Sequence, residues 1–184
     1  MAACNAQDTE ALLALLADAD IDVEVTFGSS ESKEMLIRNL GYHYAVGTTW
    51  SLGECEAGPT PIRVSCSGTA NDPLREAFGL GALDREMGFD IEPDGTVIQF
   101  TSKWTEVHDG ALMDAWGNDF QPFYEWIEQN HHGDLAVMLT QAHRRPRTEE
   151  TSLKLWAEYV PAYLATLDER GIKDRHRDRH FSAY

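Results

Sequence analysis

The sequence predicts an α+β fold in which helices are segregated to one face of a curved antiparallel sheet. Two observations predict it. Four strand-like segments succeed one another between residues 48 and 104, each placing apolar residues at every second position. Helical spacing governs the stretches on either side of them, and consecutive strands favour antiparallel pairing.

Asp8 or Thr9 is placed to cap a first helix, with Glu10 in its first turn and Leu12, Leu13, Leu15 and Leu16 as its apolar stripe. Residues 21–27 alternate apolar and polar, which predicts a short strand closed by Gly28. The Ser29–Ser32 cluster starts a second helix that runs to Gly47 and carries Leu36, Leu40 and His43 along one face.

The four strands are then read as 48–56, 61–69, 84–92 and 96–104. Pro93-Asp94-Gly95 is a turn signal, so the last two form a hairpin. Asn71-Asp72-Pro73 caps a short helix, 74–78, between the second and third. From Leu112 onward the pattern is helical. Trp116, Phe120, Phe123, Tyr124 and Ile127 fit one helix, or a pair broken at Pro122, ending at Gly133. Residues 135–139 make one apolar turn. Thr148 caps a long helix that reaches Gly171 and should kink at Pro161. Residues 173–184 lack periodicity and read as a loose tail.

Composition excludes several function classes. The 184 residues carry a formal net charge of −16. It is uneven: residues 1–142 hold 6 Lys/Arg against 24 Asp/Glu, and residues 143–184 hold 9 against 7. Phosphate binding needs a dense cationic face, so nucleic acid and an anionic membrane are not expected partners. No apolar run approaches the roughly 20 residues that span a bilayer, and no signal peptide is read at the N-terminus. The three cysteines, Cys4, Cys55 and Cys66, form no CxxC pair. Free thiols and a cytoplasmic location are the expectation.

At 94–100, Asp-Gly-Thr-Val-Ile-Gln-Phe, and on to Trp104, the sequence resembles the closing hairpin of nuclear transport factor 2-like proteins, especially the SnoaL-like group. The Ala11–Leu16 run before the 22–27 strand, the 31–47 helix and the 71–80 insert resemble that family in order. The resemblance covers about residues 8–104. It implies a cone-shaped barrel with helices over its mouth and an apolar pocket. It therefore sets residues 1–111 as the cone domain, 112–171 as a helical extension packed on it, and 172–184 as the tail. The extension is expected to stand in for a helix that the family usually carries before the first one seen here. The resemblance also suggests a homodimer.

Relatives of that kind use no cofactor, and none is expected here. Their strategy places one or two polar residues in a dry cavity, where burial tunes a carboxyl or a histidine for proton transfer. The implied ligand is a small apolar or oxygenated organic molecule. The implied activity is isomerase, dehydratase or cyclase chemistry; the alternative is a non-catalytic ligand-binding or interaction module, since fold alone does not establish activity.

His43 is the candidate general base or acid, because it lies on an apolar helix face between Tyr42 and Tyr44. A core histidine satisfied by a backbone carbonyl is the competing reading. Tyr42, Tyr44 and Ser102 are expected to orient the ligand. Ser102 stands where epoxide hydrolase-like and cyclase-like members carry an inward Asp, so their epoxide-opening machinery is not visible. Trp50, Phe89, Phe100 and Trp104 are expected to line the pocket, with ordinary core packing as the alternative. Glu54 shares a strand face with Trp50 and Leu52, and is either a rim carboxylate or a solvated strand-end charge. His131, His132 and Asp134 lack the spacing of a metal site, and none is assigned. No nucleotide-binding, serine-hydrolase or zinc-protease motif occurs.

Overall fold

The computed structural model describes residues 2–16, 20–25, 28–30, 32–105, 120–140 and 146–169. The chain divides into two compact units. The first holds Met1–Leu40, Thr48–Ala70 and Leu83–Val107; the second holds Gly41–Gly47, Asn71–Ala82 and His108–Tyr184.

The first unit opens with two short helices, α1 (Ala2–Asn5) and α2 (Thr9–Leu15). Asp8 caps α2 as expected, accepting the Ala11 N–H at 2.9 Å. Helix α1 is one the sequence pattern did not suggest. Strands β1 (Asp20–Val25) and β2 (Gly28–Ser30) form an antiparallel pair in which Val25 lies opposite Gly28. Residues 29 and 30 were expected to start a helix. The ladder with β1 gives their backbone groups partners, so helix α3 (Lys33–Val46) begins later, with the Ser32 hydroxyl accepting the Met35 N–H.

The remaining strands are β3 (Thr49–Ala57), β4 (Arg63–Asn71), β5 (Leu83–Ile91) and β6 (Val97–Trp104). They pair as an antiparallel meander, as the alternation predicts. The full sheet has the order β2-β1-β6-β5-β4-β3 and is open, with β2 and β3 at its edges. One pairing is parallel: β1 lies beside β6, with Ile21 opposite Phe100.

Register fixes which residues share a face. Phe89 faces Phe100 and Val64, while Met87 faces Ser102 and Cys66. Cys66, Gly68, Ala70, Arg85, Met87 and Ser102 are buried, so this is the covered face of the sheet. The opposite face is polar. There the Arg63 guanidinium bonds Asp90 at 3.0 Å, Gln99 at 3.2 Å and Thr101 at 2.7 Å, tying β4, β5 and β6 together. The β5–β6 turn is the predicted one. Gly95 takes a positive φ of 92°, and Asp94 accepts the Thr96 N–H.

Cys55 and Cys66 were expected as free thiols. They form a disulfide that joins β3 to β4, with Cα atoms 4.0 Å apart. The hairpin between the strands explains it. The Gly58 N–H donates to the Arg63 carbonyl at 2.8 Å and closes the turn that brings the two strands together. Thiol count alone carries no register, which is why the pairing was not read from sequence.

The second unit contains α4 (Pro73–Ala77), α5 (Gln121–Asn130), α6 (Leu135–Met138), α7 (Glu150–Glu169) and the end of α3. Pro122 sits in the first turn of α5, where its missing N–H costs nothing. Pro161 lies inside α7, as expected. Trp156, Tyr42, Tyr124, Phe120, Phe123, Leu74, Ile127 and Met138 form a fully buried aromatic-rich core. Residues 26–27, 112–119, 171 and the tail 173–184 lie outside the described residues. No helix among the described residues is long and apolar enough to cross a membrane.

Candidate functional site

The last two turns of α3 carry three of the sequence-predicted residues. Helical spacing buries Leu36, Leu40 and His43 on one face, and Tyr42 is buried beside them. Two glycines make this possible. At Gly41 an added Cβ would stand 3.0 Å from Leu153 Cδ1, so glycine lets α7 approach closely. Gly47, at φ 78°, terminates the helix in the left-handed region.

His43 is 7% exposed. The Tyr42 ring meets it at 5.5 Å and meets the Trp156 ring edge-on at 5.2 Å. Tyr44, the next residue, is half-buried. The sequence pattern thus gathers Tyr42, His43 and Tyr44 at one helix end inside an aromatic interior.

That interior holds two further polar residues which the sequence pattern marks only as part of a helix start. Asp72 caps α4 by accepting the Arg75 N–H at 3.0 Å, and it is itself buried. Burial raises the Asp72 carboxyl above the usual range, outweighing the Arg75 and Leu74 N–H groups and the Arg75 charge that lower it. Arg75, also buried, donates from Nε to the Gly81 carbonyl at 3.0 Å and from Nη2 to the Leu80 carbonyl at 3.3 Å. Burial holds the Tyr42 phenol well above its ordinary value. Asp72 and Tyr124 reinforce that shift, and Arg75 opposes it. The cue available in sequence was Asn71-Asp72-Pro73, which signals a cap and says nothing of burial.

The first unit holds the other predicted residues. Ser102, 3% exposed, lies opposite Met87 on the covered face. Phe89 and Phe100 stack there with ring centres 5.1 Å apart. Trp104 ends β6 opposite Arg85. Trp50 is buried, and its N–H and carbonyl both bond the Asn5 side-chain amide at 2.8 Å. Glu54 is exposed.

A hollow of about 380 Å³ opens in this unit, lined by the disulfide, Glu54, Glu56, Glu86, Arg85 and neighbouring Ser and Thr residues. Arg85 is 6% exposed on the covered face, and no sequence signal singled it out. His131 lies flat against Tyr159 at 4.1 Å, and Asp134 accepts the Tyr159 hydroxyl, so both belong to helix packing.

No protein-family model matches the chain, and no curated protein matches it. Solved structures of similar fold were found. One is the epoxide hydrolase/cyclase-like enzyme SalBIII of pyran ring formation in polyether salinomycin, 18% identical, with 56% of this chain and 82% of that one covered and a TM-score of 0.43. Another is a Mycobacterium tuberculosis protein in complex with estradiol-17beta-hemisuccinate, 20% identical, with 56% and 86% covered and a TM-score of 0.44. A third is an NTF2-like protein of unknown function from Cytophaga hutchinsonii, 11% identical, with 56% and 80% covered and a TM-score of 0.41. The likeness is one of fold. The α+β architecture with its antiparallel meander is the fold class that the sequence predicts.

Proposed function

We propose that the chain is a cofactor-independent enzyme performing acid/base chemistry on a small, mostly apolar, oxygenated molecule, by isomerisation, dehydration or cyclisation. One observation carries this reading: His43, Tyr42 and Asp72 share a buried, aromatic interior of the second unit. The roles follow from their chemistry. Neutral His43 takes a proton from carbon beside a carbonyl. The oxygen that gains charge accepts a hydrogen bond from the Tyr42 hydroxyl, a donor that burial keeps protonated, while Asp72, capping α4 beside it, holds the Tyr42 end of the site in place. Imidazolium at His43 then returns the proton at a second carbon or to a leaving hydroxyl. Tyr44 orients the ligand. Ser102, of the first unit, has no part in this reading.

The test is turnover of a panel of apolar ketones and β-hydroxy ketones, chosen after native mass spectrometry of any copurifying ligand. His43→Gln is expected to lower kcat by about 100-fold or more. Tyr42→Phe is expected to lower it by about tenfold, with KM little changed. Wild-type rates in both variants would sink the proposal.

A second reading, a ligand-binding module without catalysis, is favoured by one observation. Asp72 and Arg75 already hold helix α4 and the loop after it. Retention of a ligand without turnover, unaffected by His43→Gln, selects this reading.

A further inference from the structure

The Cys55–Cys66 disulfide lines a hollow that the proposed chemistry does not use. Its two sulfurs differ. Cys55 is exposed and lies on β3, an edge strand of the sheet. Cys66 is 4% exposed. Arg85 is buried on the same face, since it sits opposite Gly68 as Met87 sits opposite Cys66. It is therefore the diagonal cross-strand neighbour of Cys66, and both line the hollow with Cys55. Glu54, Glu56 and Glu86, all exposed, complete the wall.

We propose that this disulfide is a reactive site for thiol–disulfide exchange, attacked at Cys55 and selective for neutral and cationic small thiols over anionic ones. A thiolate enters from the open edge of β3 and attacks Cys55 Sγ. The new bond joins the reagent sulfur to Cys55 while the Cys55–Cys66 bond breaks. The electron pair leaves on Cys66 Sγ, as a thiolate that the Arg85 guanidinium favours. A second reagent thiolate attacks the reagent sulfur of the mixed disulfide and releases Cys55. Two reagent thiols become one disulfide, and the protein disulfide becomes two thiols that take up the two protons. The asymmetry sets the direction of attack: the accessible sulfur is the target, and the buried one beside a cation is the better leaving group. The three carboxylates set the selectivity, because an anionic reagent meets like charge at the wall.

The experiment uses the full chain, and its readouts do not depend on any activity of the second unit. Alkylation of the denatured chain is expected to leave Cys55 and Cys66 unlabelled without reductant and to label both after reduction. Cysteamine and 3-mercaptopropionate are then compared at equal thiolate concentration. Cysteamine is expected to react at least about fivefold faster at low ionic strength, with the gap closing in salt. Peptide mapping should place the mixed disulfide on Cys55. Arg85→Gln should slow both reagents by about threefold, through the poorer leaving thiolate. Labelling of Cys55 and Cys66 in the unreduced chain, an adduct on Cys66, or equal rates for the two reagents overturns the proposal. The reagent comparison on the unaltered chain decides it even where Arg85→Gln fails to fold.

Discussion

Tyr159 of α7 donates its phenolic hydrogen to Asp134 Oδ2 across 2.5 Å while its ring lies flat on His131. The bond fastens the long C-terminal helix to the start of α6. Burial, then Asp134, pushes the Tyr159 phenol up to about 12. An unfolded tyrosine titrates near 10. The neutral phenol is thus favoured by folding, and its contribution is complete below about pH 10 and lost as pH rises through about 12. Absorbance titration at 295 nm should show Tyr159 ionising late, as Tyr42 also does, and Asp134→Asn should bring one of these late tyrosines back toward 10. Tyr159→Phe should cost about 2 kcal/mol in urea unfolding, as expected for a bond to a charged acceptor.

Asp72 tests whether its charge or its geometry matters. Asp72→Ala removes the α4 cap and should cost about 1 kcal/mol. Asp72→Asn keeps a capping oxygen. The folded carboxyl titrates above its unfolded value, so the stability it adds is present in acid and lost as pH rises through the folded value. Asp72→Asn should therefore match or exceed the parent at pH 7, and the difference should shrink toward pH 4. Paired denaturation curves at the two pH values check this.

Asn5 acts as a ladder partner for an edge strand. Its amide oxygen accepts the Trp50 N–H, and its amide nitrogen donates to the Trp50 carbonyl, both at 2.8 Å. Asn5→Ala should speed hydrogen exchange at Trp50 and cost about 1–2 kcal/mol. An unchanged exchange rate at that amide would count against the pairing.

Trp156 is fully buried and its ring meets Tyr42 and Phe123. Trp156→Ala should cost about 3–5 kcal/mol and flatten the near-ultraviolet circular dichroism. A Tyr42 phenol freed of this packing should titrate closer to its ordinary value.

Arg63 and Gly88 should show coupled effects. A Cβ at Gly88 would overlap the Arg63 guanidinium and Thr101 Oγ1. Gly88→Ala should therefore be destabilising in the parent and much milder with Arg63→Ala already present. A double-mutant cycle reads the coupling, and strict additivity would count against this contact.

Local sequence patterns set the elements and their order. Alternation marked β3 to β6, Asp8 and Asp72 announced their helices, and Pro93-Asp94-Gly95 announced its turn, because each is a local relation between neighbouring residues. The same periodicity put His43 on a buried helix face. Tertiary structure governed whatever depends on register and on distant chain segments. It paired Cys55 with Cys66 and set β1 parallel to β6. It also buried Asp72 within electrostatic reach of Tyr42. A strand pattern fixes which residues alternate, but only pairing fixes what lies opposite them. A one-residue shift in that pairing would have separated the cysteines and reversed every face.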